Sequence, residues 1–274
     1  ISRGDWSSDV CSSDLLVSSK SDHVVIGKMA GSASLGIYSV ASQFTLQVMQ
    51  KIIAINNRVL FPAISKNQNE ILIVKDLYFK SLNNTIIIVA PMFIGLSTLS
   101  DLAVIALLGP GWDGLENVIS LLSVYVLIRC LGSLNNPLVL GLGKAKWAFH
   151  WNLLLMLVVP IVVFVGSYLN GVIGVAAGLI MVQSFVVCAA YFYWIKRLLG
   201  PCLKDYLETV FRPVLISFSM ALMVGYSANS FGPKNPVFSL LFFVFLGACI
   251  YIFLSCFLNR KNFKIFIGSF LGKA

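Results

Sequence analysis

Residues 147–195 read WAFHWNLLLMLVVPIVVFVGSYLNGVIGVAAGLIMVQSFVVCAAYFYWI and contain no Asp, Glu, Lys or Arg over 49 positions. An α-helix needs about 20 apolar residues to cross the hydrocarbon core of a bilayer, so this stretch is long enough to cross it twice. The Asn170-Gly171 dipeptide near its middle is a turn signal. The stretch therefore predicts a membrane-embedded helical hairpin.

The composition extends this prediction to the whole chain. Of its 274 residues, 58% are apolar and 11% are charged, and the mean hydropathy is +0.88. A soluble domain is about half apolar and about a quarter charged, so the composition argues strongly against a soluble enzyme or a nucleic-acid-binding domain. The formal charge of +9 does not favour nucleic acid as a partner, because the basic residues lie between apolar runs and form no patch.

Seven apolar stretches are long enough to span a bilayer as helices. The predicted spans are 37–57, 82–107, 116–140, 147–168, 172–194, 213–230 and 237–258. We therefore expect an all-α polytopic membrane protein. Residues 23–26 fit the tail of an eighth span. The last span is apolar all round, so we expect it to face lipid.

Residues 1–15, ISRGDWSSDVCSSDL, differ from the rest of the chain. They contain five Ser and three Asp and have neither an initiator Met nor an apolar core, so they are not a signal peptide. They resemble translated sequencing-adapter read-through, and we interpret them as a non-native leader on a chain truncated at its N-terminus. The alternative is a native acidic tail.

Motifs for metal, nucleotide or disulfide chemistry are absent from the sequence. The six Cys form no C-x-x-C pair, there are two His, and no G-x-x-x-x-G-K-[ST] motif occurs. We expect no metal, no cofactor and no ATP-driven activity in this chain. No loop on the predicted outer side exceeds about ten residues, which argues against an enzyme that works there.

Basic residues are distributed asymmetrically between the loops. The loops at 58–80, 142–148, 196–212 and 259–274 carry 14 Lys and Arg, whereas the opposite loops carry two, Lys28 and Lys234. Because cytoplasmic loops are enriched in Lys and Arg, the pattern predicts a multi-pass membrane protein with a cytoplasmic C-terminus. The first full span then starts outside, so at least one span precedes it.

The first full span carries a polar stripe. At 3.6 residues per turn, its polar side chains fall along one side of the helix: Gln43, Gln47, Gln50, Lys51, Asn57 and Arg58. The apolar residues assigned to the other face are Val40, Phe44, Val48, Ile52, Ile55 and Val59. This pattern predicts a helix with one face toward an aqueous cavity. The alternatives are that Arg58 is an interfacial anchor and that Lys51 snorkels toward the headgroups.

Arg129 lies near the middle of the span 116–140. A central Arg costs about 2.5–3.5 kcal/mol on insertion scales, so we expect a partner, water or an anionic substrate beside it. Asp101 is the closest candidate partner in this chain. The alternative is an Arg that pairs structurally within the bundle.

Amides and prolines interrupt three of the spans. Asn135 and Asn136 follow Arg129 by one to two turns and precede Pro137, and Pro91 and Pro160 lie in two other spans. Proline frees nearby carbonyl groups, and broken helices are tolerated where they border a cavity. We expect the two Asn to line the cavity and the three Pro to act as hinges; static kinks are the alternative. Gly171, Gly174 and Gly178 favour close helix packing.

Three segments resemble the lipopolysaccharide or colanic-acid exporter branch of the polysaccharide flippases, within the multidrug/oligosaccharidyl-lipid/polysaccharide exporter superfamily. They are RVLFPAISKNQNE (58–70), GPGWDGLENVISLLSVYVLIRCLGSLNNPLVLGLGKAK (109–146) and GVIGVAAGLIMVQ (171–183). The resemblance runs in order from about residue 23 to 212 and more loosely to the end. The chain departs from the family pattern because it lacks the first lobe and most of the seventh helix.

The resemblance implies a fold with two six-helix lobes around a central cavity, followed by two extra helices. Residues 16–195 would form the C-terminal lobe from the end of helix seven to helix twelve, and 196–274 would form helices thirteen and fourteen with a basic cytoplasmic tail. It also implies that the full protein flips an undecaprenyl-pyrophosphate-linked oligosaccharide by alternating access, coupled to H⁺ or Na⁺. The partners would be this lipid-linked substrate, membrane lipid and the missing N-terminal lobe. Lys51, Arg58 and Arg129 match positions where basic cavity residues would bind the pyrophosphate and sugar acids.

Besides a membrane-embedded structural or assembly protein without transport, two other functions remain open from the sequence. The first is a flippase or exporter of another cargo, such as a cell-wall lipid precursor or a teichoic-acid unit, with the same fold. The second is a polytopic membrane glycosyltransferase or ligase, for which Asp113 and Glu116 beside Trp112 would be the candidate residues. A carboxylate-poor cavity favours an anionic cargo over the cationic drugs carried by multidrug exporters.

Overall fold

A computed structural model describes residues 23, 25–29, 31–231, 235–259 and 263. Within these residues the chain is helical and contains no strand. The leader 1–15 and most of the basic tail lie outside the described residues, as does residue 24 of the predicted eighth span. The helices are α1 (Gly31–Lys66), α2 (Ile71–Thr98), α3 (Ser100–Leu108), α4 (Leu115–Ser133), α5 (Asn135–Gly141), α6 (Ala145–Ala190), α7 (Lys196–Leu199), α8 (Leu203–Phe231) and α9 (Pro236–Leu258).

Five helical segments are long and apolar enough to cross a membrane: Ile71–Thr98, Leu115–Gly141, Ala145–Leu199, Leu203–Ala228 and Pro236–Leu258. The segment Ala145–Leu199 crosses twice, because α6 is broken at Asn170 and Gly171. Helix α1 contains the predicted span 37–57 but is not among the five, since its Gln and Lys side chains lower its hydropathy. The prediction of an all-α polytopic membrane protein is confirmed.

The predicted hairpin is present in α6. Asn170 (φ −149°, ψ 35°) and Gly171 (φ 55°, ψ −136°) leave the helical conformation, and Gly171 adopts a left-handed φ that suits glycine. The two arms then approach closely at Gly166 and Gly174. A Cβ added to Gly174 would lie 2.1 Å from the Gly166 carbonyl oxygen. The small-residue spacing therefore serves helix packing, as predicted.

Helix α4 lies at the centre of the bundle and packs against α1, α2 and α6. Its buried side chains share one core with the inward faces of those helices. Helix α2 also packs along α8, and α8 packs against α9. The segment after residue 195 therefore joins the same helical body.

The connections 67–70, 142–144 and 200–202 lie at one end of the bundle, here called the basic end. Residues from the ends of several helices share a single core cluster there, including Ile64, Val74, Leu138, Ile195 and Tyr206. This agrees with the prediction that these connections lie on one side of the membrane. The loops themselves are shorter than predicted, because α1 continues to Lys66 and α8 begins at Leu203. Arg58, Lys75 and Arg212 are therefore helical residues.

The expectation that the last span faces only lipid is wrong for one side of α9. Five of its residues, spaced four apart, are buried: Ser239, Phe243, Gly247, Tyr251 and Ser255. This side packs against α3 and α8. Mean hydropathy did not reveal it, because the average covers both sides of the helix; the buried side is the less apolar one, with two Ser, one Gly and one Tyr.

Candidate cavity-lining site

The polar stripe of α1 lies mostly on its unpacked side. Gln43, Gln47, Gln50, Lys51 and Arg58 are exposed. The packed side of the helix carries Tyr38, Ala41, Thr45 and Met49, which are buried in the bundle. The whole of α1 contains no carboxylate, so its exposed side carries no negatively charged side chain.

Two parts of the predicted stripe differ in the structure. Asn57 is half-buried, and its Oδ1 atom is inaccessible to solvent with no hydrogen-bond partner. Ile55 and Val59, assigned from the sequence to the opposite face, are 63% and 65% exposed. The reason is that α1 packs through a face centred near Thr45 and Met49, which turns Asn57 inward and leaves Ile55 and Val59 beside the cations.

Arg129 projects from the central helix α4 and is half-buried. Its guanidinium donates a hydrogen bond to the Tyr125 hydroxyl, one turn earlier, and its Cζ lies 5.6 Å from the centre of that ring. The Tyr125 side chain thus supplies both a hydrogen-bond acceptor and a π-face to the cation.

Asp101 is not placed to pair with Arg129. It borders a pocket of about 370 Å³ at the end opposite the basic end, together with Trp112, Asp113 and Glu116. Glu116 and Arg129 both lie on α4, thirteen residues apart, which is about 20 Å along a helix. The suggested Asp101–Arg129 pair is therefore wrong.

The acidic residues of this pocket have a structural function in part. The Glu116 carboxylate accepts a hydrogen bond from the Gly114 N–H at 3.0 Å at the start of α4, where a negative charge is favourable. Among the described residues, no group of three or more His, Cys, Asp or Glu is placed to hold a metal ion.

Lys51 and Arg129 lie at about the same depth. Helices α1, α4 and α5 run in the same direction, and a Cβ added to Gly141 would lie 2.7 Å from Ile64 Cγ2. The same Cβ would lie 3.5 Å from the Phe61 carbonyl oxygen, so Gly141 is level with residues 61–64. Twelve residues earlier along each helix, at the same rise per residue, Arg129 is level with residues 49–52. Arg58 lies about two turns nearer the basic end.

The two predicted cavity amides diverge. Asn135 is buried, and its Oδ1 accepts a hydrogen bond of 2.9 Å from the Tyr78 hydroxyl on α2. It therefore joins two helices and does not line an open surface. Asn136 is half-buried. The sequence alone could not predict which of the two is buried, because it does not show which side of the helix packs against α2.

The three prolines also differ. The helix is interrupted at Leu134, between α4 and α5, three residues before Pro137, since Pro137 cannot donate to the Ser133 carbonyl. Pro91 and Pro160 lie inside the continuous parts of α2 and α6. Pro91 leaves the Ile87 carbonyl without its helical donor, and the Tyr251 hydroxyl from α9 donates to that carbonyl at 3.0 Å. This bond favours a static role for Pro91 over a hinge.

A polar contact between α1 and α2 was not predicted from the sequence. Asn56 Nδ2 donates to Thr85 Oγ1 at 3.0 Å, and the Thr85 hydroxyl donates to the Ser81 carbonyl at 2.8 Å. The signal was present as an Asn beside the predicted stripe and a Thr inside an apolar span. It could be interpreted only once the two helices were known to be neighbours.

Comparison with known proteins gives a consistent result. Residues 13–115 match the family described as polysaccharide biosynthesis protein. The chain is 26% identical over 238 residues to the teichuronic acid biosynthesis protein TuaB of Bacillus subtilis (strain 168), covering 85% of this chain and 48% of TuaB. It is 29% identical over 205 residues to the lipopolysaccharide biosynthesis protein WzxC of Escherichia coli (strain K12), covering 74% of this chain and 41% of WzxC.

A third relative is the succinoglycan biosynthesis transport protein ExoT of Rhizobium meliloti (strain 1021), 25% identical over 244 residues, which covers 88% of this chain and 49% of ExoT. The chain thus spans about half the length of the curated relatives it matches. No solved structure matches significantly. The resemblance drawn from the sequence is confirmed at the level of these names: this chain is a membrane protein similar to bacterial proteins of polysaccharide biosynthesis and transport.

Proposed function

We propose that this chain is part of a transporter that flips an undecaprenyl-pyrophosphate-linked oligosaccharide across the bacterial inner membrane. The observation that carries the proposal is the pair of cations Lys51 and Arg129 at one depth of a membrane bundle. Lys51 is exposed beside Gln47 and Gln50 on a helix without carboxylates. A cation in a low-dielectric site attracts anions strongly because water screens it little.

The chemistry of these side chains fits the headgroup of such a lipid. Arg can bind phosphate through two parallel hydrogen bonds, whereas Lys provides a compact charge. The Gln side chains can bond sugar hydroxyls without adding charge. Cavity-lining by Gln43, Gln47 and Gln50, and anion binding by Lys51, Arg58 and Arg129, are parts of this proposal. The carboxylate-poor surface gives a cationic drug no counter-charge.

The relatives support a polysaccharide-related cargo without specifying the sugar. Their names refer to different polymers: teichuronic acid, lipopolysaccharide and succinoglycan. They share a sugar polymer with this proposal, and the name of ExoT adds transport. We propose transport by alternating access, with a second lobe completing the cavity wall opposite the exposed side of α1. On this proposal the chain is not an enzyme, the C-terminus is cytoplasmic, and the coupling ion is H⁺ or Na⁺.

The proposal is tested in the source bacterium by changing the chromosomal codon of Arg129. Arg129→Ala should abolish surface polysaccharide and cause lipid-linked oligosaccharide to accumulate in the membrane, because the anion loses its bidentate partner. Arg212→Ala is the matched control, since Arg212 is an exposed arginine at the basic end. Normal export by Arg129→Ala, at a protein level equal to that of the control, would contradict the proposal.

The DNA upstream of the codon for His23 provides a second test. Six or seven further apolar spans in frame would support a two-lobe transporter and a non-native leader. An initiation codon directly before the Ser/Asp segment would contradict the interpretation that the chain is truncated. A two-lobe transporter would then require a partner subunit.

A further inference from the structure

A cluster of aromatic and basic residues lies at the basic end, outside the site described above. It consists of Trp147 and Trp151 near the start of α6, and Tyr193 and Trp194 in the π-helical turn Tyr191–Ile195. Four cations flank these rings in sequence: Lys144, Lys146, Lys196 and Arg197. We call these eight residues the aromatic–basic patch.

The rings of the patch contact one another across the two ends of α6. Trp151 stacks on Tyr193 with a ring-centre distance of 6.0 Å and an angle of 20°, and Trp147 lies 5.9 Å from the same Tyr193. Trp194 lies beneath, 5.1 Å from Trp151. Tyr193 is 40% exposed, whereas Trp194 is 2% exposed. The patch is thus a packed platform with an accessible upper surface.

Two of the cations are held at the edges of this platform. Lys144 Nζ lies 5.8 Å from the Trp147 ring centre, and Arg197 Cζ lies 5.2 Å from the Tyr193 ring centre. Both distances are within the range of a cation–π contact. Because the Trp147 and Tyr193 rings are neighbours, Lys144 and Arg197 lie on either side of a single surface about two rings wide.

None of the ion pairs among the described residues involves a cation of the patch: the pairs are Lys75–Asp205, Lys80–Asp76 and Arg212–Glu208. The sequence has no Asp or Glu between Glu116 and Asp205, and Asp205 is 3.2 Å from Lys75 in an ion pair. The indole N–H of Trp194 also lacks a hydrogen-bond partner, but it is buried beneath the platform and does not reach its accessible surface. The four basic residues outside any ion pair favour an anionic ligand.

The apolar residues around the patch indicate that the anionic group belongs to a lipid. Exposed apolar side chains continue from the patch along α6 and the π-helical turn, including Phe149, Leu153 and Phe192 at 65%, 47% and 62% exposure. Trp and Tyr prefer the level of the lipid headgroups, and basic pockets at this level bind anionic headgroups. We propose that the aromatic–basic patch binds the phosphodiester of an anionic phospholipid, with the acyl chains along these apolar residues.

The test uses the whole purified chain in mixed micelles and measures quenching of Trp fluorescence. Trp6→Phe and Trp112→Phe remove the tryptophans that lie outside the patch. The probes are phosphatidylglycerol and phosphatidylcholine with brominated acyl chains. We expect stronger binding of the brominated phosphatidylglycerol. Lys144→Gln and Arg197→Gln should each reduce that preference about fivefold, because one basic residue near an anionic lipid surface contributes about 1 kcal/mol.

The controls are the single variants Lys66→Gln and Lys204→Gln, each of which removes one positive charge from an exposed position at the same end of the bundle and should keep the preference. Equal quenching by the two lipids, or a preference that survives both Lys144→Gln and Arg197→Gln, would overturn the proposal. So would displacement of the brominated lipid by equimolar polyprenyl pyrophosphate, since the patch would then serve a cargo headgroup. The proposal does not depend on the export proposed above, which is measured separately through Arg129.

Discussion

The bond between α9 and the proline of α2 allows a quantitative test of the packing. Tyr251 is 6% exposed and donates to the Ile87 carbonyl, which Pro91 leaves without its helical donor. Tyr251→Phe removes the hydroxyl and leaves a buried carbonyl unsatisfied. A buried unsatisfied polar group costs about 1–3 kcal/mol, and we expect Tyr251→Phe to lower the free energy of unfolding by about 2 kcal/mol.

The same substitution should cost less when Pro91 is absent. Alanine at position 91 has a backbone N–H that can donate to the Ile87 carbonyl, so that carbonyl no longer depends on Tyr251. We expect the cost of Tyr251→Phe to fall to about 0.5–1 kcal/mol in a Pro91→Ala background, which is a coupling energy of about 1 kcal/mol.

The assay is thermal unfolding of the purified chain in detergent for the four members of this double-mutant cycle. A change of 1 kcal/mol corresponds to about 2–4 °C in Tm for a chain of this size class. Tyr251→Phe should therefore lower Tm by about 4–8 °C in the wild-type background and by about half as much or less beside Pro91→Ala. Additive effects of the two substitutions would refute the reasoning, because they would mean that Tyr251 does not compensate for Pro91.

Two further predictions concern the hairpin and a buried thiol. Gly174→Ala should lower the free energy of unfolding by about 2–3 kcal/mol, because the added Cβ would lie 2.1 Å from the Gly166 carbonyl oxygen. Its Tm should be clearly lower than that of the control Gly36→Ala, whose added Cβ meets nothing within 4 Å. Equal Tm values for the two variants would contradict the close approach of the two arms. Burial raises the pKa of the Cys202 thiol, so less thiolate is present at neutral pH. In a variant that retains only Cys202, this thiol should react with maleimide more slowly at pH 7 than an exposed cysteine does. Its reaction rate should also continue to increase above pH 9, where the rate of the exposed cysteine increases less. Equal rates and equal pH profiles for the two thiols would contradict this.

The candidate site could be predicted from the sequence only in part. The exposure of Gln43, Gln47, Gln50, Lys51 and Arg58 follows from helical periodicity, since residues at these spacings share one side of any helix. Periodicity does not state which side packs, and Asn57, at the edge of the stripe, is turned inward as a result. Their role in binding cargo stays a prediction.

Asn135 and Arg129 show a second limit to what the sequence can predict. Both are polar residues in one apolar span, and hydropathy treats them alike. Asn135 is satisfied by Tyr78, 57 residues away in sequence, whereas Arg129 contacts Tyr125, four residues earlier on its own helix. The second contact is local and follows from helical spacing, but the first depends on which helices become neighbours.

The sequence by itself determined the class of the protein, the hairpin at Asn170-Gly171 and the similarity to bacterial polysaccharide biosynthesis proteins. These depend on composition, on runs of apolar residues and on turn signals, all of which act locally along the chain. Only the tertiary structure decided which side of α9 is buried, that Tyr251 serves the carbonyl freed by Pro91, and that Lys51 and Arg129 lie at one depth. The physical reason is that inside a membrane both the packed and the lipid-facing sides of a helix are apolar, so contacts between helices, which hydropathy does not encode, select between them.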